Sequence, residues 1–278
     1  MSTPPIEADT SRPPHTRTLH VGSAAAVEVT VHGLDRTRPF LLLHGGGGVR
    51  TMTAFAALLA QRTHSHVLLP THPGFAGTPK AAGLTGVAGL ARTYVTMLEE
   101  LDLTDVTVIG NSFGGWLAAE MALLNSPRVS GAVVVDGIGI EVPGHPMTDV
   151  SGLSRAELLA HSFYDPSRAS VPPGGDGTGP SPDVRALIGY TGPAMSDPSL
   201  AERLGALDLP VHVLWGEHDR IVDPAYGEAY AAAIPGARFT LLPRTGHLPQ
   251  VETPEAVLEA LLAPSRSGTP CGYPSPRR

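Results

Sequence analysis

A chain of 278 residues with 42% apolar and 16% charged residues has the size and composition of a globular protein with a substantial core. Its 19 basic and 26 acidic residues leave a net charge of −7, the wrong sign for gripping a phosphate backbone, which excludes nucleic acid as a partner. The single cysteine, Cys271, rules out an internal disulfide and a multi-cysteine metal centre, and fits a cytoplasmic location.

Residues 1–16 carry Pro4, Pro5, Pro13 and Pro14 but no cationic start followed by an apolar run, so they read as a flexible tail and not as a secretory signal. Thr18–Val21 and Val27–His32, separated by Gly22-Ser23, predict a hairpin. Further strands are expected at Phe40–Leu43, His66–Pro70, Val106–Ile109, Val129–Val135, Val211–Trp215 and Arg238–Leu242. Helices are expected at Met52–Gln61, Leu84–Leu101, Phe113–Asn125, Ala225–Ala233 and Pro254–Leu262. Continuous apolar strands alternating with helices predict an α/β fold, a mostly parallel sheet with helices on both faces, built from residues 17–140 and 206–263.

The alternation breaks once. Residues 141–205 show no strand signal, only weak helical patches at Ser154–Phe163 and Pro182–Tyr190 around the Pro/Gly-rich stretch 171–180, and read as an inserted helical cap. Residues 264–278 have no apolar period and read as a disordered tail. No apolar run approaches the roughly 20 residues of a membrane span, so no membrane partner is expected.

Chemistry concentrates in Gly110-Asn-Ser112-Phe-Gly114, a G-x-S-x-G segment that follows an apolar strand and opens a helix. So sharp a strand-to-helix turn lifts a central serine hydroxyl clear of the sheet, with small residues at the flanks where a Cβ would collide. Serine needs a base held by an acid. Among twelve histidines, His247 in the turn after Arg238–Leu242 would emerge at the same sheet edge as Ser112, and Asp219 occupies the equivalent turn after Val211–Trp215. Asp223, the expected cap of the helix opening at Pro224, and Asp136, at the end of the strand before the cap, are rival acids. Two N–H donors are needed for an oxyanion; Phe113 and Gly46, the latter in His44-Gly-Gly-Gly-Gly48, are the candidates. His44 is expected to brace that loop. The four glycines do not form a phosphate cradle, since no Lys-Ser/Thr pair or G-x-G-x-x-G frame accompanies them.

His64 and His66 lack a third ligand in frame, and no metal site is expected. Trp116, Met121 and Trp215 read as core. Phe163, Tyr164, His161 and Tyr190 of the cap are candidate pocket walls.

HGGGG (44–48), GNSFGG (110–115), GEHD (216–219) and GHLP (246–249), in this order and each after a core strand, resemble the α/β-hydrolase superfamily. Thr71–Gly77 resembles its D-x-x-G-x-G-x-S loop, with His72 and Thr78 in place of the commoner residues. HGGGG followed by GNSFGG is nearest to the carbon–carbon bond hydrolases of meta-cleavage pathways, with Gly48 and then Val49 where their HGGGPG segment has its proline. The resemblance implies a Ser112, Asp219 and His247 triad with Gly46 and Phe113 as oxyanion donors, no cofactor, and a small-molecule ester or related acyl substrate. Two other readings stay open on this fold: a small-molecule receptor, and a cofactor-free perhydrolase. Oligomeric state is not legible in the sequence.

Overall fold

The computed structural model describes residues 13–22, 25–33, 35–150, 152–169 and 181–263. The expected glycine-rich break at 171–180 and the expected C-terminal tail at 264–278 lie outside them, as do residues 1–12 of the expected N-terminal tail.

Eight strands form one sheet: β1 (His15–Val21), β2 (Ala25–His32), β3 (Asp35–Leu43), β4 (Ser65–Thr71), β5 (Val106–Asn111), β6 (Val129–Val135), β7 (Val211–Gly216) and β8 (Arg238–Leu242), in spatial order β1-β2-β4-β3-β5-β6-β7-β8. The β1–β2 hairpin pairs antiparallel, β2 pairs antiparallel with β4, and every later pair is parallel. Strand β1 starts at His15, within the expected tail.

The connecting helices are α1 (Arg50–Thr63), α2 (Gly86–Glu100), α3 (Phe113–Leu123), α7 (Pro224–Ala232), α8 (Pro249–Glu252) and α9 (Pro254–Leu262). Between β6 and β7 the chain adds α4 (Arg155–Ser162), a 3-10 turn at Pro166–Arg168, α5 (Pro182–Thr191) and α6 (Leu200–Leu204). Ser154 caps α4 through a reciprocal box with Glu157, and Ser181 caps α5. Among the described residues no helix is long and apolar enough to cross a membrane.

Alternate residues of each central strand point to opposite faces, which is why the strands are apolar throughout. Leu41, Leu43, Val108, Val134, Val213 and Trp215 join one core cluster with residues of α2, α3 and α7, while Phe40, Leu42, Ile109, Val133 and Leu214 join the other with residues of α1 and α9. The insertion is not separate from this packing, because Leu187, Tyr190, Leu200 and Leu204 are continuous with the first cluster.

The chain leaves β3 toward β4 on one side and leaves β5 toward β6 on the other. Strand order therefore reverses between β3 and β5, and at such a point the connections diverge and leave a crevice at the carboxyl ends of the strands.

Candidate active site

Ser112 occupies that crevice. Its backbone has φ +57° and ψ −118°, a conformation that L-residues adopt only when their surroundings enforce it. Here the Ser112 N–H donates to Val135 O at 2.9 Å, and its carbonyl accepts the Gly115 N–H at 2.9 Å and the Ile138 N–H at 3.2 Å. The turn has no room for side chains at its flanks: a Cβ on Gly110 would lie 1.8 Å from Gly114 O, and one on Gly114 would lie 2.0 Å from Leu43 O. Phe113 opens α3, so its N–H is one of the first-turn donors that lack an intrahelical acceptor.

The loop after β3 lies over the serine. A Cβ on Gly45 would come within 2.8 Å of Ser112 Cβ, and one on Gly46 within 3.0 Å of Leu187 Cδ2. Bare backbone thus passes between Ser112 and the insertion. A pair of histidine rings, with centroids 3.8 Å apart and planes tilted by 31°, supports this loop. His44 Nε2 accepts the His72 N–H at 3.1 Å, so Nδ1 carries the hydrogen and donates to Gly45 O at 2.9 Å. His72 Nε2 donates to His44 O at 3.0 Å, and its Nδ1 accepts the Tyr94 hydroxyl at 2.6 Å. Burial pushes His44 down to about 4; burial and the neighbouring His44 push His72 well below the usual histidine range. Both rings are neutral braces, the role expected of His44.

Asp219 and His247 come together at the same edge, with Asp219 Oδ2 accepting the His247 Nδ1–H at 2.7 Å. Asp219 Oδ1 accepts the Ile221 and Val222 N–H groups at 2.7 and 3.1 Å. The turns after β7 and β8 touch because Gly216 has no side chain; a Cβ there would lie 2.2 Å from Gly246 O. Asp223 is the cap of α7, accepting the Tyr226 N–H, and its other oxygen meets His145. Asp136, the remaining rival acid, is buried beside Asp219.

Sequence reasoning missed the groups that hold His247. Asn111 Nδ2 donates to His247 O at 3.0 Å and its Oδ1 accepts from Gln250 Nε2 at 3.1 Å, so the residue before Ser112 ties down the histidine turn. Buried Glu252 accepts the Gly246, Tyr164 and Asp165 N–H groups at 2.7, 3.1 and 2.7 Å, and His247 N–H donates to Ser162 O at 2.8 Å. Asn111 filled an unspecified place in G-x-S-x-G, and no local pattern marks Gln250 or Glu252.

Of the four aromatic candidates in the insertion, two approach this edge. Tyr190 stacks on Phe113 with centroids 5.9 Å apart and donates to Pro73 O, and Phe163 meets Gly246 through its main chain, with its side chain buried. His161 bonds within its own helix, and Tyr164 lies exposed against His218. Trp116, Met121 and Trp215 are buried.

Among the described residues, potential metal ligands gather at one place: Asp136, Asp219 and His247 offer atoms within 4.8 Å of one another. The 2.7 Å contact between His247 Nδ1 and Asp219 Oδ2 is a direct hydrogen bond. It is shorter than the spacing of roughly 3 Å or more between two ligands on an ion with bonds of about 2.1 Å.

Residues 40–260 match the family model described as "Alpha/beta hydrolase family". A 2-hydroxy-6-oxo-2,4-heptadienoate hydrolase of Pseudomonas putida is 29% identical over 120 residues, a match covering 42% of this chain and 44% of that relative. A 2-hydroxy-6-oxononadienedioate/2-hydroxy-6-oxononatrienedioate hydrolase of Cupriavidus pinatubonensis is 27% identical over 217 residues, 68% of this chain and 72% of the relative. Among solved structures, a thermophilic esterase from Thermogutta terrifontis superposes with a TM-score of 0.69 at 21% identity, over 88% of this chain and 96% of the esterase, a likeness of fold. With the family model spanning most of the sheet and both turns that bring Asp219 to His247, the chain belongs to the alpha/beta hydrolase family.

Proposed function

We propose that the protein is a serine hydrolase that cleaves a small carboxylic ester or a related acyl bond, through Ser112, His247 and Asp219. The observation that carries this reading is the 2.7 Å Asp219–His247 hydrogen bond at the sheet edge where Ser112 stands with φ +57°. With Nδ1 occupied by Asp219, His247 presents Nε2 as the base that takes the Ser112 proton while Oγ attacks the acyl carbon. The Gly46 and Phe113 N–H groups receive the oxyanion. The imidazolium then gives its proton to the leaving group, and water activated by the same ring releases the acyl chain from Ser112. The scheme uses no cofactor. The insertion between β6 and β7 serves as the cap over the acyl group, with Leu187 and Tyr190 toward the pocket.

The test is turnover of p-nitrophenyl esters of graded chain length, beside a 2-hydroxy-6-oxo dienoate chosen because two relatives are named as hydrolases of such compounds. Ser112→Ala is expected to abolish turnover. Asp219→Asn is expected to lower kcat by about 10⁴, since the imidazole is then held in the wrong tautomer. Full activity in Asp219→Asn, with comparable loss in Asp223→Asn, overturns the choice of acid; absence of turnover with every acyl chain overturns the enzyme.

A further inference from the structure

Asp136 follows β6, is fully buried, and has no part in the hydrolytic scheme. It sits in left-handed backbone with φ +45°, a conformation retained only where the surroundings hold it. Its Oδ1 accepts the Gly216 N–H at 2.8 Å, while its Oδ2 is buried without a protein donor. A carboxyl oxygen of Asp136, one of Asp219 and a ring nitrogen of His247 lie within 4.8 Å of one another.

The titratable groups facing Asp136 are Asp219, from the turn after β7, and His247, from the turn after β8. The β5 strand runs beside it through Asn111, and α3 meets the adjacent Gly137 through Gly115, neither of them ionisable. Two buried carboxyls at this separation cannot both carry charge. The donors decide between them: Asp219 receives two N–H groups and the imidazole, Asp136 a single N–H. Burial, and then the charge of Asp219, hold the Asp136 carboxyl well above the ordinary carboxylate range.

We propose that Asp136 is a neutral carboxylic acid that shares its proton with Asp219, a positioning residue that fixes the Asp219 carboxylate toward His247 and holds the acidic pair to one negative charge. The functional role rests on the hydrolytic reading above. A second negative charge would keep His247 protonated to higher pH, and a protonated ring cannot take the serine proton.

Two measurements without turnover test the proposal. In infrared spectra at pH 7, the unsubstituted protein should show the carbonyl stretch of a protonated carboxyl group, and Asp136→Asn should lose it. In NMR, the His247 ring should titrate in Asp136→Asn within about 0.3 units of its midpoint in the parent, because an amide replaces a neutral acid. Loss of a real negative charge would lower that midpoint by about one unit or more. Absence of the band from the unsubstituted protein, or a drop of that size in the midpoint, overturns the proposal. Should Asp136→Asn fail to fold, Asp219→Asn serves instead. With the partner charge gone, the band should disappear at a lower pH than in the parent, and an unchanged pH overturns the assignment. Persistent hydrolysis by Ser112→Ala would sink the hydrolytic reading and leave these spectra untouched.

Discussion

The sheet edge and the insertion between β6 and β7 meet over Ser112, but different forces hold them. At the edge, backbone is pressed on backbone: Gly110, Gly114 and Gly216 each have a main-chain oxygen within 2.2 Å of where a Cβ would stand. The insertion is held in two other ways. Its first half, through α4, buries Phe163 and little else apolar, and is latched by main-chain groups to Glu252 and to the turns after β7 and β8. Its second half puts Leu187, Tyr190, Leu200 and Leu204 into the main core, and Arg203 grips Glu120 of α3 with both guanidinium nitrogens at 2.9 and 2.7 Å. So built, the insertion has one half fixed in the core beside Gly46 and one half latched by hydrogen bonds beside His247.

Acid should separate the sheet from the insertion most strongly. The histidines whose titration burial lowers, His32, His44, His66, His72 and His212, all belong to the sheet and its edge. Each binds a proton more readily once unfolded, so the stability they leave intact above pH 6.5 is lost as pH falls toward the folded-state value. For His44, lowered to about 4, the loss reaches about 3 kcal/mol near pH 4, and His212, lowered to about 3, adds to it. Urea unfolding at pH 7 and pH 4.5 should show a marked drop in midpoint that is smaller in His44→Gln. Equal midpoints would mean that these rings protonate within the fold.

The embedded half comes next. Arg203→Met leaves Glu120, whose side chain is 8% exposed, with the Trp116 indole N–H as its remaining donor, and should cost about 3 kcal/mol, a fall of roughly 10 °C in Tm. Acyl-chain preference in the surviving enzyme should hold. A Tm within 2 °C of the parent, on the same scale, would show that the ion pair is not what fixes this half.

The contrast also explains which parts were legible in sequence. Ser112 stands in a five-residue pattern whose glycines are dictated by the turn itself, and Asp219 and His247 were placed by lying just beyond apolar strands. Arg203 and Glu120 are separated by 83 residues, and Glu252 reaches back 87 to Asp165, distances over which no periodicity speaks. The α8 helix, at four residues, is too short to show a helical repeat, and β3 begins at Asp35 because Asp35–Pro39 is polar strand that no apolar run announces. Asp136 was legible as an acid at a strand end, but its partner could be found only in three dimensions.

For the latched half, Glu252→Gln keeps the shape and removes the charge that three N–H groups share. The amide presents one acceptor and sets its own donors against the rest, at a cost of about 2 kcal/mol. Because Gly246 is among the three, the loosened turn should carry His247 with it, lowering kcat about tenfold with little change in KM. A fall in Tm without any fall in kcat would show that the latch steadies the insertion and leaves the histidine alone.

The smallest effect is expected where the two regions touch. Leu187 of α5 is 6% exposed and lies against Gly46, so its branch point limits the space beside the proposed oxyanion donor. Leu187→Val removes one methylene there, with a stability cost of about 1 kcal/mol. A methylene-sized change in an apolar pocket discriminates substrates by about tenfold at the lower end of its range. The ratio of kcat/KM for an acyl chain one carbon longer to that for the parent's preferred chain should therefore rise roughly three- to tenfold, through KM more than kcat. An unchanged chain-length profile, in an enzyme whose turnover still depends on Ser112, would mean that the acyl group lies away from α5, and that the fixed half of the insertion shapes the core and not the pocket.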